Sequence, residues 1–423
     1  MKTTIEKAQR FLHKNNLIYE DIDFQAEIER FISQMDLGLN SDEGLPMIPT
    51  YVPGQLHPKQ GAEAIAVDVG GTNLRVALLE LKDLKTEIID IVKEPSMGKV
   101  EPVTFDAFIE NLVDKIEPFL KYSKTICFSF AHEVEHTNDM DGRARFISKE
   151  VLITDFRDRP LADSLSRSIK KRTGDDVNVV LINDTVGVAG SMLQRGDEFQ
   201  NYFGIVMGTG ANSCYIEKCK NIKKIDDAKT DTMFINVESG AYIPSIVSGI
   251  DKAFDATTFL PNTATMEKMV SGEYLGKLYY FLIQKACEEG LFSDRFIKNI
   301  EKHIALGTQE LSIFYQNQFI GVYADMCEKE SDRQMLYFFA TCLIERAAAL
   351  VSIKIIAISK KIYQQSEAPI CVIVEGSTFY GLMGFKEMVL KNISGHAKNM
   401  DIKLFSVEDA ALIGIGNIGL AFV

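Results

Sequence analysis

The 423-residue chain has no run of 18 consecutive apolar residues, and its best approach, "AAALVSIKIIAISKKIY" from Ala347, is interrupted by Lys354, Lys360 and Lys361. That excludes a membrane-spanning helix. Its first 35 residues are charged and helix-periodic, without the apolar stretch and small-residue cleavage site of a secretory signal peptide. Cysteine is scarce and odd in number, seven in all, with no CxxC spacing, which argues against a disulfide framework and against zinc knuckles. The expectation is a cytoplasmic protein with reduced core thiols. Basic residues are outnumbered, 46 Lys and Arg against 59 Asp and Glu for a net charge of -13, and no local basic stripe offsets the deficit. Nucleic acid and anionic lipid would be repelled, so no nucleic acid and no membrane is expected as a partner. Low-complexity tracts and solenoid-period repeats are missing as well.

What remains is an ordinary globular composition, 46% apolar and 25% charged, in a chain longer than one hydrophobic core usually serves. Two domains with a cleft between them follow as the expectation. Residues 1 to about 40 read as helical, and "GLPMIPTYV" (Gly44 to Val52), followed by Gly54, Pro58 and Gly61, reads as a connecting segment. "AIAVDV", "LRVALLEL", "TICFSFA" and "VVLIND" are short β-rich runs with an amphipathic helix at Phe105 to Leu120 among them. Beyond "YFGIVMG", "NSCYIEK" and "FINVES" comes a helix-dominated stretch from about Met266 to Tyr363, then a late strand "ICVIVEG".

One internal echo stands out. "AVDVGGTNLRVALLE" and "FGIVMGTGANSCYIEK" each set a Gly-Thr turn between two apolar strands. Glycines without Cβ let backbone N–H groups converge on phosphate oxygens. In the first turn these are Gly70, Gly71, Thr72 and Asn73, with Asp68 before and Arg75 after; in the second, Gly208, Thr209, Gly210 and, beyond Ala211, Asn212. Asp68 could hold hydrated Mg²⁺. Between the turns, "VVLINDTVGVAG" ends a strand in Asn183 and Asp184 and then starts a helix. A carboxylate there can be a helix cap, but beside two phosphate turns it is placed to take a hydroxyl proton during phosphoryl transfer.

"AVDVGGTNLRV", "FSF", "INDTV", "GTGANSCYIE", "NVESGAY", "EKMVSGEYLG" and "EGSTF" occur in the order and approximate spacing of hexokinases and eukaryotic-type glucokinases. The resemblance runs from about Gly44 to Ala421. It implies an α/β, two-domain, actin-like (ribonuclease H-like) fold with an interdomain cleft. The small domain would comprise 61–186 plus 406–423, and the large domain 1–60 plus 187–405 with a helical insertion. The implied activity is transfer of the γ-phosphoryl group of MgATP to the 6-hydroxyl of a hexose such as glucose, mannose or fructose. The alternatives are a non-catalytic or weakly catalytic hexose sensor of the same fold, or a kinase whose main substrate is another hexose. The resemblance assigns Ser129, Ser148, Lys149, Asn183, Asp184, Asn212, Glu238 and Glu267 to the sugar. Asp184 is the matching base, with Lys149 and Arg75 as catalytic cations. Asp68, Gly70, Gly71, Thr72, Asn73, Gly208, Thr209 and Gly210 match the phosphate side, and Gly376 and Ser377 the adenosine segment. ATP and Mg²⁺ follow as cofactors.

The chain departs from the family pattern in three places. The tryptophan usual near the Ser148–Lys149 pair is lost. Thr263, Ala264 and Thr265 stand where many hexokinases carry Gly-Gln-Gln, so a broader hexose preference is expected. Glu375 replaces the usual Asp before Gly376, and "FSVEDAALIGIG" enters Ala410 without the usual Gly-Ser-Gly turn, which predicts a trimmed adenine wall. Other motifs mislead. "HEVEH" at His132 to His136 satisfies a zinc-protease pattern but follows a strand, and reads as a polar loop beside the sugar pocket, with "DMDG" a hairpin turn. "GIGNIG" at Gly414 to Gly419 has too little chain after it for a dinucleotide fold, and reads as a terminal helix or a packed segment of small residues. The charge run from Glu217 to Asp231 reads as a solvated connection.

Overall fold

The computed structural model describes residues 2–71, 73–98, 101–146, 151–195, 199–226, 228–304 and 306–423. Two helices lead, α1 (Lys2–Lys14) and α2 (Phe24–Asn40). α2 starts where Asp23 accepts the Ala26 N–H, and it buries Phe24, Ile28, Phe31, Met35 and Leu39, spaced three or four apart on one face. The next segment is not a plain connection: β1 (Ile48–Pro53) is a strand, antiparallel to a later one. Prolines in this segment suggested a linker, yet β1 lies at a sheet edge, where proline is tolerated.

The first α/β region follows. β2 (Glu63–Val69), β3 (Asn73–Lys82) and β4 (Lys85–Pro95) form an antiparallel meander. After β5 (Val103–Thr104), α3 (Phe105–Ile116) leads to β6 (Thr125–Phe130), parallel to β2. A hairpin of β7 (Glu133–His136) and β8 (Gly142–Phe146) comes next, then β9 (Ile153–Thr154), paired with β5, and α4 (Leu161–Thr173). β10 (Asn178–Ile182) is parallel to β6 and completes a five-stranded sheet ordered β10-β6-β2-β3-β4. The apolar stripes of α3 and α4, including Phe108, Leu112, Leu165 and Ile169, cover one face of that sheet. A short helix, α5 (Asp184–Gly190), leaves the end of β10.

The second region is a six-stranded sheet ordered β1-β13-β12-β11-β14-β15, from β11 (Asn201–Met207), β12 (Ala211–Lys218), β13 (Thr232–Asn236), β14 (Ile370–Glu375) and β15 (Ile402–Phe405). β14 runs parallel to β11 and to β15. Between β13 and β14 lie α6 (Gly249–Asp255), α7 (Thr265–Val270), α8 (Leu275–Glu288), α9 (Asp294–Ile300), α10 (Thr308–Gln316), α11 (Val322–Asp325) and α12 (Glu330–Tyr363). α12 is buried on nearly every face and receives α1, α2 and α7. Its buried Arg346 forms a two-fold bond with Asp251 of α6, at 2.8 Å for each pair of atoms. The chain closes with α13 (Ser377–Gly381), α14 (Phe385–His396) and α15 (Ala410–Leu420), so "GIGNIG" is helical.

α5 and α15 lie between the two sheets. One core cluster joins Ala66, Cys127 and Val180 of the first sheet, Val186, Ala410, Ile415 and Ile418 of these helices, and Cys214, Phe234 and Ile373 of the second. The helices touch backbone to backbone: a Cβ on Gly414 would fall 1.7 Å from the Gly187 carbonyl oxygen. None of the seven cysteines is in a disulfide, and all but Cys287 are buried. The charge run also differs from its sequence reading at its start. Glu217 is fully buried, accepting from Tyr215 Oη (2.7 Å), Asn221 (2.7 Å) and Gln365 (2.9 Å).

Candidate functional site

The two Gly-Thr turns open onto one cleft of 2150 Å³, with Gly70 and Gly71 on one wall and Gly208, Thr209 and Gly210 on the other. That space exceeds the few hundred to about 1,000 Å³ of a single small-ligand pocket. Asn73, Arg75, Asn183, Asp184, Asn212, Glu238, Glu267, Gly376 and Ser377 line the same cleft. Thr72, Ser148 and Lys149 lie outside the described residues.

The first turn is a short reversal in which the Gly70 N–H donates to the Asn73 carbonyl at 3.0 Å. Asp68 and Arg75 are register partners on β2 and β3, and Arg75 donates to Asp68 Oδ2 through Nε (2.9 Å) and Nη2 (2.6 Å). Its third donor, Nη1, meets Asp409 Oδ1 at 3.1 Å, just before α15. Burial raises the Asp68 pKa, and the Arg75 charge and hydrogen bonds pull against it. Glu375, at the end of β14, is likewise pushed up by burial and accepts the Ala411 N–H of α15 at 2.7 Å. The first turn is thereby tied to the C-terminal helix by charge. Sequence reasoning missed Asp409, which sits 334 residues from Arg75.

The second turn is held mostly by uncharged groups. Gly208 O accepts from the Gly272 N–H (2.8 Å) and Thr378 Oγ1 (2.9 Å), and the Glu273 N–H donates to Thr209 O (3.1 Å). Gly376 has φ +131°, and a Cβ there would lie 2.2 Å from Met207 O. Only glycine fits that close crossing of strands. Glu267, in the first turn of α7, accepts the Ala211 N–H on Oε2 at 2.8 Å.

Asn183 caps α5 by accepting the Thr185 N–H, while Asp184 Oδ1 accepts from Thr185 N (2.7 Å) and Oγ1 (3.1 Å). Glu238 has a left-handed backbone, φ +51°, a strain that functional sites tolerate when neighbours enforce it. Its Oε1 accepts from Asn236 Nδ2 (2.7 Å) and Asn212 Nδ2 (3.2 Å). Burial lifts its pKa to about 7; the Asn236 bond opposes this, and repulsion from Asp184, Glu133 and Glu267 adds to it. Ser129 does not join the open wall. It is fully buried on β6, beside Asp68 in register, and its Oγ has no hydrogen-bond partner among the described residues.

"HEVEH" is not a loop: His132 and Glu133 do line the cleft, but Glu133 to His136 form strand β7. Residues four apart on a strand are roughly 13 Å apart, too far to share one metal ion. Ala264, left-handed at φ +48°, precedes α7 and lines the cleft with Thr263 and Thr265.

Such a cleft can hold a polyhydroxylated acceptor against paired carboxylates and amides, with a polyphosphate between two glycine turns. Two family models, each described as Hexokinase, match residues 9–192 and 202–420. Hexokinase-1 of Schizosaccharomyces pombe is 26% identical over 419 residues, spanning 91% of this chain and 85% of that protein. Hexokinase-2 of Saccharomyces cerevisiae is 26% identical over 433 residues, 92% of this chain and 87% of its own length. Among solved structures, hexokinase from Schistosoma mansoni complexed with glucose superposes with a TM-score of 0.79 at 21% identity, covering 99% of both chains.

Proposed function

The chain belongs to the hexokinase family, and from that premise we propose that its cleft holds a hexose against Asp184 and MgATP against the two Gly-Thr turns. The activity is ATP-dependent phosphorylation of a hexose. In our reading Asp184 accepts the proton of the sugar 6-hydroxyl as that oxygen bonds the γ-phosphorus. The bond from the γ-phosphorus to the bridging oxygen breaks, and ADP leaves. Asn183, Asn212, Glu238 and Glu267 meet the other hydroxyls, and a sugar that leaves one of them unpaired costs about 1–3 kcal/mol. Gly376 and Ser377 border the nucleoside. Mg²⁺ would neutralise phosphate charge. Asp68 suits it as a carboxylate with only Oδ2 committed to Arg75, holding the ion through water. Arg75, with three of its five N–H groups engaged by Asp68 and Asp409, contributes its field to the transferring group and keeps two N–H groups besides. Thiols outside any disulfide support a cytoplasmic setting.

The observation that carries this reading is the meeting of Asp184, both turns and the Glu238–Glu267 pair in one cleft. Purified protein with MgATP should convert glucose, mannose and fructose to 6-phosphates. The acceptance should be broad, because Ala264 offers no side-chain amide. ATP turnover indifferent to sugar would instead mark an ATPase. Asp184→Ala should cut sugar phosphorylation by at least about 100-fold with the fold intact; a variant keeping more than about a tenth of wild-type turnover removes Asp184 from the base role.

A further inference from the structure

The ions around the first Gly-Thr turn hold its flanks, and a neutral group holds its middle. Asn73 pairs with Pro95 at the end of β4, so the next residue, Ser96, arrives beneath the turn. Ser96 is buried, and its Oγ donates to the Gly70 carbonyl at 2.7 Å. Among the described residues no other group donates to that oxygen. Behind the turn, Ser96, Gly70 and Asn111 line a small cavity of about 10 Å³. A space of that size holds at most about one water, and it leaves the peptide room to rotate once the hydroxyl is gone.

The peptide joining Gly70 to Gly71 is trans, and in a trans peptide the C=O and the following N–H point to opposite sides. With the Gly70 oxygen drawn back to Ser96, the Gly71 N–H faces the other way. Ser96 lines the rear cavity and not the cleft, whereas Gly71 lines the cleft and not the cavity. The Gly71 N–H is therefore directed at the cleft, and no described residue accepts it. The Gly70 N–H is not free in the same way, being spent on the Asn73 carbonyl within the turn. An unpaired N–H on a residue with no side chain to obstruct approach suits an anionic oxygen.

We propose that Ser96 is a positioning residue for the nucleotide: by holding the Gly70 carbonyl back, it fixes the Gly70–Gly71 peptide so that the Gly71 N–H donates to a phosphate oxygen of the bound nucleoside triphosphate. This rests on the reading of the first turn as a phosphate site. Ser96 itself does not touch the ligand. Two neighbouring glycines let the peptide flip at little steric cost, exchanging N–H for C=O at the cleft wall, and a carbonyl oxygen there would repel phosphate. The hydroxyl selects the productive orientation.

The test is steady-state kinetics on Ser96→Ala, Ser96→Thr and Gly71→Pro, varying MgATP at saturating hexose and hexose at saturating MgATP, with a thermal melt of each variant. Ser96→Ala should raise the MgATP KM about tenfold and leave the hexose KM within about twofold. Ser96→Thr keeps the donor and should hold the MgATP KM within about threefold of wild type. Gly71→Pro deletes the N–H itself and should raise the MgATP KM at least as much as Ser96→Ala. An unchanged MgATP KM in Ser96→Ala overturns the proposal, and so does an equal rise in both KM values, which marks a general loosening of the fold. Failure of Ser96→Thr to restore the MgATP KM, in a protein that melts like wild type, overturns it as well. A raised KM in Gly71→Pro beside an unchanged one in Ser96→Ala leaves the phosphate reading standing without this inference. Unchanged values in both defeat the phosphate reading of the first turn, and the inference falls with it. If Gly71→Pro does not fold, the two Ser96 variants decide alone.

Discussion

The two Gly-Thr turns share a sequence pattern and line one cleft, yet they are secured by different means. The β2–β3 turn is framed by ions: Arg75 is held between Asp68 and Asp409, and Glu375 grips the start of α15. The β11–β12 turn is framed mainly by neutral bonds and by glycines in backbone contact, Gly376 against Met207 and Gly272 against Gly208, with one carboxylate, Glu267, accepting the Ala211 N–H at its end. The difference teaches that a glycine turn at a cleft wall needs a fixed backbone and is indifferent to how it is fixed. One framework is sensitive to charge and the other to volume, so each can be broken without touching the other.

The largest effect should come from the ionic side. Arg75→Met leaves Asp68 buried without its cation, which should cost about 3 kcal/mol of stability by denaturant titration, together with most of the turnover. Asp409→Ala touches only the more exposed end of the same pair and should cost less than about 1 kcal/mol. Equal costs would dissolve the contrast between the two partners. On the steric side, Gly376→Ala forces a Cβ into Met207 O at positive φ, and about 2 kcal/mol should be lost. Gly70→Ala meets nothing nearer than Asn73 O at 3.3 Å and should cost under about 1 kcal/mol. The same two melts at high salt should separate the frameworks again, since salt weakens the ionic one more.

Acidity offers a subtler probe. Glu238 titrates near 7 in the fold, against an ordinary 4.5. As pH falls from 8 to 6 its carboxylate is lost as an acceptor, so the hexose KM should rise up to about tenfold, and Glu238→Gln should flatten the profile. Its stability term has the opposite sense. Between pH 4.5 and 7 the folded chain binds this proton and the unfolded chain does not, so the Glu238 contribution declines as pH rises through that window. The smallest effect concerns the nucleotide. On the proposed reading the two Gly-Thr turns hold phosphates and do not read the base, and the chain enters Ala410 without the Gly-Ser-Gly turn usual in the family, which would trim the nucleoside wall that Gly376 and Ser377 begin. GTP and ITP should therefore support kcat/KM within about tenfold of ATP. A preference for ATP above a hundredfold would restore a full adenine pocket built by other residues.

Much of the architecture was legible because it is local. Alternating apolar runs around a Gly-Thr turn give both hairpins, and a strand ending in Asn183–Asp184 followed by helix-forming residues places the candidate base at a β10–α5 junction. What escaped was long-range or contrary to propensity. Nothing near Arg75 in sequence announces Asp409. Prolines such as Pro49 hid an edge strand, because proline is a poor strand former that sheet edges tolerate. "HEVEH" followed the strand "TICFSFA", yet nothing in its charge pattern showed that it would pair with β8 as a second strand. Lys354, read as an interruption of an apolar run, turned out to be enclosed by it, and Glu217 opened a charge run while sitting in the core. A charged letter carries no information about which side chains will surround it.

The buried cysteines turn the molecule into its own unfolding gauge. Burial holds the thiols of Cys287, Cys327 and Cys342 up at about 12 and carries Cys127 and Cys214 higher still. Almost no thiolate is then available at neutral pH to attack an alkylating reagent. Labelling must wait for local opening, and the sites are distributed: Cys127 on β6 of the five-stranded sheet, Cys214 on β12 and Cys371 on β14 of the six-stranded one, Cys342 on the central helix. A pulse of iodoacetamide followed by peptide mass mapping would read out which half loosens first, without any introduced probe.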